Sequence, residues 1–178
     1  LISAQAGVGG AVFQMFNHGT ISAMLFILVG VIYDRAHHRD IEGFGGLASQ
    51  MPIYTAFVAL AFFAGLGLPG FSGFVSEAMI FIGAFPVFRT VVIISTLGIL
   101  LNAAYFLWAF QRMFFGPANE KYNDLPEINS RELFTVIPLA VITVFLGVYP
   151  RPFLDLVSST LNLLIESVVS IGGYATAF

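Results

Sequence analysis

Residues 65–77 read Gly65-Leu66-Gly67-Leu68-Pro69-Gly70-Phe71-Ser72-Gly73-Phe74-Val75-Ser76-Glu77, and this run decides how the chain folds. Pro69 has no backbone N–H to donate, and glycines accept dihedrals closed to other residues, so Gly67, Pro69, Gly70 and Gly73 break any helix that enters the run. The apolar stretch around it, Pro52 to Phe85, is thirty-four residues long. As one straight helix it would measure about 51 Å at ~1.5 Å per residue, well beyond a hydrocarbon core of ~30 Å. The halves, Pro52 to Gly65 and Ser72 to Phe85, are each too short to span comfortably. Two arrangements remain, a hairpin of two short spans or one span made of a broken helix.

The basic residues separate the two. With one broken span, Arg35, Arg39, Arg112, Lys121 and Arg131 share one side and Arg89 and Arg151 the other; with two spans the split is four against three. An excess of Lys and Arg on cytoplasmic loops favours the first. The expectation is a helix broken near 66–72, with the loops around 34–51 and 112–131 in the cytoplasm and the C-terminus outside. Irregular backbone at membrane depth is tolerated only where it is buried in protein or lines a watery cavity. Discontinuous helices of this kind build ion sites in transporters.

Composition agrees with a membrane protein. The chain is 58% hydrophobic and 10% charged, with mean hydropathy +0.91, whereas soluble domains carry about 25% charged residues. Apolar runs predict further transmembrane helices at about 11–33, 90–111 and 133–149. The first ends in the collar Asp34-Arg35-Ala36-His37-His38-Arg39-Asp40, where the adjacent histidines read as a solvated loop rather than a metal site with defined ligand spacing. Asn129 and Glu132 have the spacing of a capping box at the start of the last span, and Pro150 and Pro152 end it. The tail, about 153–171, reads as an amphipathic helix that lies at the interface or covers a partner subunit. The expected architecture is therefore an all-α integral membrane protein, one domain over 1–178, built as a transmembrane helix bundle with one discontinuous helix.

Several functions are excluded by what the sequence lacks. The net charge of -3 leaves no basic patch for nucleic acid. With no cysteine there is no disulfide framework, no thiolate metal site and no ligand set for an iron–sulfur cluster. No dinucleotide-binding glycine fingerprint or phosphate loop is present, so no redox centre and no metal is expected on this chain. The first residue is Leu1, preceded by no basic n-region, and the chain is expected to be part of a longer one.

The chemistry-bearing residues are few. Glu77 is the only charge in the forty-six residues between Glu42 and Arg89. An ionised group near the bilayer midplane costs ~2.5 kcal/mol or more, which makes it a functional-site candidate, against the alternative of a carboxyl kept for packing. The positive end of the half-helix that carries it favours the ionised form, while removal from water favours the protonated one, so the carboxyl is able to switch. On the first helix Gln14, His18 and Ser22 recur at i, i+4 and i+8 with Asn17 beside them. The stripe suits a proton relay centred on a side chain that titrates near neutral pH, or equally a histidine hydrogen-bonded across a helix interface.

His18-Gly19-Thr20-Ile21-Ser22-Ala23-Met24-Leu25-Phe26, Gly45-Gly46-Leu47, Leu68-Pro69-Gly70-Phe71-Ser72-Gly73-Phe74-Val75-Ser76-Glu77 and Arg131-Glu132-Leu133 together resemble one family. It is the antiporter-like subunit M, or chain 4, family of proton-pumping NADH–quinone oxidoreductase, respiratory complex I, and the likeness is to its C-terminal third, from about Ala11 to Asp155. The resemblance implies that the chain holds the eleventh to fourteenth transmembrane helices of an antiporter-like fold. It implies that Glu77 is the acid of the broken twelfth helix and His18 the histidine of the hydrophilic axis, the two proton-transfer groups, with Gln14, Asn17 and Ser22 as a supporting polar path. Partners would be the lipid bilayer and other membrane-arm subunits, including other antiporter-like ones. NADH, FMN, iron–sulfur clusters and quinone would belong to other subunits, and the location would be a bacterial inner (cytoplasmic) membrane. The alternatives sharing the motif are a multisubunit cation/proton antiporter, a membrane-bound hydrogenase and photosynthetic complex I.

Overall fold

The computed structural model describes the backbone of residues 2–122 and 124–175, and the side chains of 5–119, 121–122 and 124–170. Among these residues all regular structure is helical: α1 (Ile2–Ala36), a short α2 (Leu47–Gln50), α3 (Pro52–Gly65), α4 (Ser72–Ala84), α5 (Arg89–Phe114), α6 (Ser130–Val148) and α7 (Arg151–Ala175). Helices α1, α5, α6 and α7 are each long and apolar enough to cross a membrane, and α3 and α4 are shorter apolar helices. The protein is an all-helical integral membrane protein with one discontinuous helix.

The relation of α3 to α4 is fixed by what each touches on α1. Tyr54 near the start of α3 donates its hydroxyl to the Leu28 carbonyl at 3.0 Å. Ile21 lies against both Gly65, at the end of α3, and Gly73, at the start of α4. Asn17 then bonds Ser72 and Ser76, Gly10 abuts Met79 and Ile80, and Gly7 abuts Gly83. The contacts descend α1 without reversing while the numbering of α3 and α4 rises. Both halves therefore run antiparallel to α1, end to end, as one broken helix and not as a hairpin.

Helix α1 begins at Ile2, well before the expected Ala11. Glycines at 7, 9 and 10 are poor helix formers, each costing about 1 kcal/mol relative to alanine. Packing overrides that cost, because a Cβ at Gly10 would lie 2.7 Å from Met79 Cβ and 2.9 Å from Ile80 N. The absence of side chains lets the α1 and α4 backbones approach closely, the usual basis of helix association in lipid.

Helix α5 packs on α3 through Phe106 against Phe62, with ring centroids 4.9 Å apart, and through Phe114 against Tyr54 at 6.0 Å. Its outer side exposes Ile94, Leu97, Leu100 and Leu101, as expected of a lipid-facing surface. Near its C-terminus, α6 sets Gly147 directly against the backbone of Gly70 and Phe71. Helix α7 is longer than the expected amphipathic segment. It lies along the N-terminal half of α1, where Phe153 stacks on Phe13 at 4.9 Å and Gln5 donates to Asn162 at 3.0 Å.

The polar end of the bundle is held by two carboxylates. Arg35 donates through both terminal nitrogens to Glu132, at 3.0 and 2.8 Å, tying the end of α1 to the start of α6. Asn129 and Glu132 form the expected capping box there. Glu127, distant in sequence, accepts from the backbone N–H groups of Ile53 and Tyr54 at 2.8 and 3.1 Å, and so caps α3, whose own N-cap residue Met51 supplies no side-chain bond. His38 bonds Tyr122 and stacks on Phe44 with ring centroids 4.3 Å apart.

A Gly10→Leu substitution should force α1 from α4 and destabilise the protein by about 2 kcal/mol or more, the scale of an overpacked core. Gly19, which has nothing within 4 Å of an added Cβ, should accept alanine without loss. Thermal inactivation of the detergent-solubilised protein compares the two; equal midpoints would contradict the α1–α4 contact.

Candidate functional site

The break is built so that its own polar groups are answered. At the end of α3, Leu68 donates its N–H to the Phe63 carbonyl at 3.0 Å and Gly67 to the Ala64 carbonyl at 3.3 Å, the paired bonds of a Schellman closure. That closure needs a left-handed residue, and Gly67 supplies it with φ 78°. Gly70, at φ 103°, turns the chain back toward α4, and the Phe71 N–H bonds the Leu68 carbonyl at 3.2 Å. The Gly65 carbonyl is taken from outside the segment, by Asn102 Nδ2 of α5 at 2.8 Å.

Glu77 lies one and a half turns into α4, and its side chain folds back over the break. A Cβ added at Gly67 would fall 2.7 Å from Glu77 Oε2, so the carboxylate occupies the space a side chain at 67 would fill. Glu77 lines a cleft of about 500 Å³ between α4, α5 and α1, together with the polar groups of Gln14, Ser95, Asn102 and Tyr105. Among the described residues no side chain forms a hydrogen bond or ion pair with this carboxylate. The carboxyl is thus set in a polar cleft at the helix break, with Gln14, Ser95, Asn102 and Tyr105 around it.

Next to Glu77, the buried Ser76 joins the helices. Asn17 Nδ2 donates to the Ser72 carbonyl and to Ser76 Oγ, both at 2.9 Å, and Ser76 Oγ donates to Gln14 Oε1. Gln14, Asn17, Glu77 and Gly67 thus come together, and Gly73 closes against the Ala64 carbonyl. Pro69 and Gly70 sit exposed at the crest of the break. His18 does not join this group: it is exposed on α1, and neither it nor the half-buried Ser22 lines the cleft. Sequence reasoning named none of Ser76, Ser95, Asn102 and Tyr105 as site residues. The available signal was a serine inside the otherwise apolar α4, one residue before the acid.

Comparison with known proteins places this arrangement. A family model described as NADH:quinone oxidoreductase/Mrp antiporter, TM, matches residues 1–102, which includes α1, the whole broken helix and the lining of the Glu77 cleft except Tyr105. The chain belongs to that family. It is 42% identical over 164 residues to NADH-quinone oxidoreductase subunit M of Rhodobacter capsulatus, covering 92% of this chain and 32% of that protein. It is 37% identical to F(420)H(2) dehydrogenase subunit M of Methanosarcina mazei, covering 93% of this chain and 33% of the relative. Among solved structures it resembles a chain of respiratory complex I from Thermus thermophilus with bound NADH, with TM-score 0.79 and 26% identity over 89% of this chain and 34% of that one. The chain spans about a third of the length of these relatives.

Gly67 and Gly70 allow strain to be separated from chemistry. Both have positive φ, but a Cβ at Gly70 meets nothing within 4 Å. Gly67→Ala and Gly70→Ala should each lose about 1–2 kcal/mol of stability from a left-handed non-glycine residue. Only Gly67→Ala should displace the carboxylate, read as a changed rate of Glu77 modification by a hydrophobic carbodiimide. Equal labelling in the two variants would contradict the placement of Glu77 over Gly67.

Proposed function

We propose that this chain is part of a proton-translocating, antiporter-like membrane-arm subunit of NADH:quinone oxidoreductase, with Glu77 as a proton-carrying carboxyl of its channel. The observation that carries the reading is Glu77 itself, a carboxylate without a partner among the described residues, in a polar cleft at the break of a discontinuous helix. Similarity to subunit M proteins across nine-tenths of the chain supports it. Electron transfer from NADH to quinone, through FMN and iron–sulfur clusters, would be the work of other subunits. This chain would contribute the proton path, and its partners would be the bilayer and the remaining membrane-arm subunits, among them other antiporter-like ones. Bacterial relatives favour a bacterial inner membrane, with the loops at 34–51 and 112–131 facing the cytoplasm.

In this reading the cleft lets water reach Glu77 while α4 holds the carboxylate over Gly67. A cation brought to ~4 Å of it contributes about 4 kcal/mol at the effective dielectric of a protein near its surface, enough to drive proton release. His18, on the exposed side of α1, would pass protons toward the part of the subunit that lies outside this chain. The absence of a described partner for Glu77 leaves room for such a charge to come from a neighbouring helix.

A second reading, a subunit of a multisubunit cation/proton antiporter or a related membrane hydrogenase, is supported by the Mrp antiporters included in the matching family. The F(420)H(2) dehydrogenase relative likewise leaves the electron donor to be settled by the assembly. Co-migration of the chain with NADH dehydrogenase activity on a native gel decides for the first reading, and a smaller NADH-inactive complex decides for the second.

Glu77→Ala should assemble but lose proton pumping, since removing a positioned proton-transferring side chain costs about 100-fold or more in the step it serves. ΔpH formed per NADH oxidised is the measurement, and a wild-type ratio would sink the proposal. His18→Ala should have the milder effect, because water replaces a relay imidazole more readily than a fixed charge; the reverse order would count against these roles.

A further inference from the structure

We propose that Asn17 and Asn102 are positioning residues, an amide on each side of the helix break that together hold Glu77 against Gly67 and facing the cleft. The proposal rests on the reading of Glu77 as the working carboxyl and adds the residues that aim it.

The backbone bonding supports this directly. The carbonyls of Phe62, Phe63 and Ala64 are all answered within the segment, by the N–H groups of Leu66, Leu68 and Gly67. Gly65 is answered by Asn102, which anchors the end of α3 to α5. At the start of α4, Asn17 uses its amide nitrogen twice, on the Ser72 carbonyl and on Ser76 Oγ. It thereby fixes the first turn of α4 to α1, directly beneath the residue that carries the acid.

The chemistry of Asn17 points the same way. The residue is 1% exposed, and its Oδ1 accepts no bond among the described residues. A buried amide oxygen left unpartnered is unfavourable, by about 1–3 kcal/mol. An apolar side chain of the same size would avoid that penalty, so the asparagine is accounted for by its nitrogen. Ser76, held by that nitrogen, has Gln14 Oε1 and the Gly73 carbonyl as acceptors for its own hydroxyl, and so links α1 to the first turns of α4.

Freed of either amide, one half-helix loses its hydrogen-bonded anchor at the break, while its packing on α1 remains. Glu77 then loses its fixed position while the spans that surround it remain.

The test uses the intact membrane complex and reads Glu77 itself, not pumping. Asn17→Leu, Asn102→Leu and Ser76→Ala are compared for the rate at which dicyclohexylcarbodiimide modifies Glu77, measured by mass spectrometry. Thr143→Val removes a similarly buried hydroxyl that bonds the Leu139 carbonyl within α6 and neither half of the broken helix, and serves as the control. The clamp predicts that both leucine variants label about five-fold faster or more, the equivalent of about 1 kcal/mol and one hydrogen bond. Ser76→Ala should shift in the same direction, and Asn102→Gln, which keeps an amide, should return toward the wild-type rate. Rates in all three variants matching the Thr143→Val control would overturn the proposal. Should a leucine variant fail to assemble, Ser76→Ala decides alone, since it removes a single oxygen. If Glu77→Ala pumps normally while these labelling rates change, the functional reading falls and the clamp stands.

Discussion

Inside a lipid bilayer every backbone N–H and C=O must find a partner in the protein, and a broken helix violates that requirement unless something intervenes. This structure is organised around meeting it. Gly67 closes the end of α3 upon itself, Asn102 reaches in from α5 for the carbonyl left over, and Asn17 secures the start of α4 from α1. The three long elements around the break are thus brought together by the cost of interrupting it. The cleft that holds Glu77 is the space left between them. The carboxylate cleft and the backbone irregularity are one feature here, since Asn102, recruited to satisfy the second, also lines the first.

Much of this was legible in the sequence because it is written in local chemistry. Glycines and a proline announce a break wherever they fall, and one carboxylate in a long apolar run announces a site. The capping box of α6 follows the same logic, a three-residue pattern with one geometric meaning. The choice between hairpin and broken helix needed a non-local argument from the basic residues, and the descending contacts along α1 bear it out.

What escaped the sequence is what depends on distant partners. Glu127 caps α3 from more than seventy residues away, and nothing local marks it for that task. The glycine-rich start of α1 reads as a weak helix until α4 is seen against it. The polar stripe on α1 is a subtler case. Residues at i, i+4 and i+8 advance about 400° per step on a helix of ~3.6 residues per turn, so each lies about 40° round from the last. Gln14 faces the cleft while His18, one step on, is exposed. Asn17, off the stripe by one residue, faces α4 instead and is buried there.

The contact of Gly147 with Gly70 and Phe71 gives the break a front and a back. Helix α6 ends with its backbone pressed on the outer side of the crossing, whereas the cleft beside Glu77 lies toward α5 and α1. The end of α6 thus covers the backbone of the break at Gly70 and Phe71, and no residue of α6 lines the cleft where the carboxylate sits. Under the proposed function, a carboxylate set in such a cleft would be a station at which a proton stops and is handed on, where an open pore would let it run straight through.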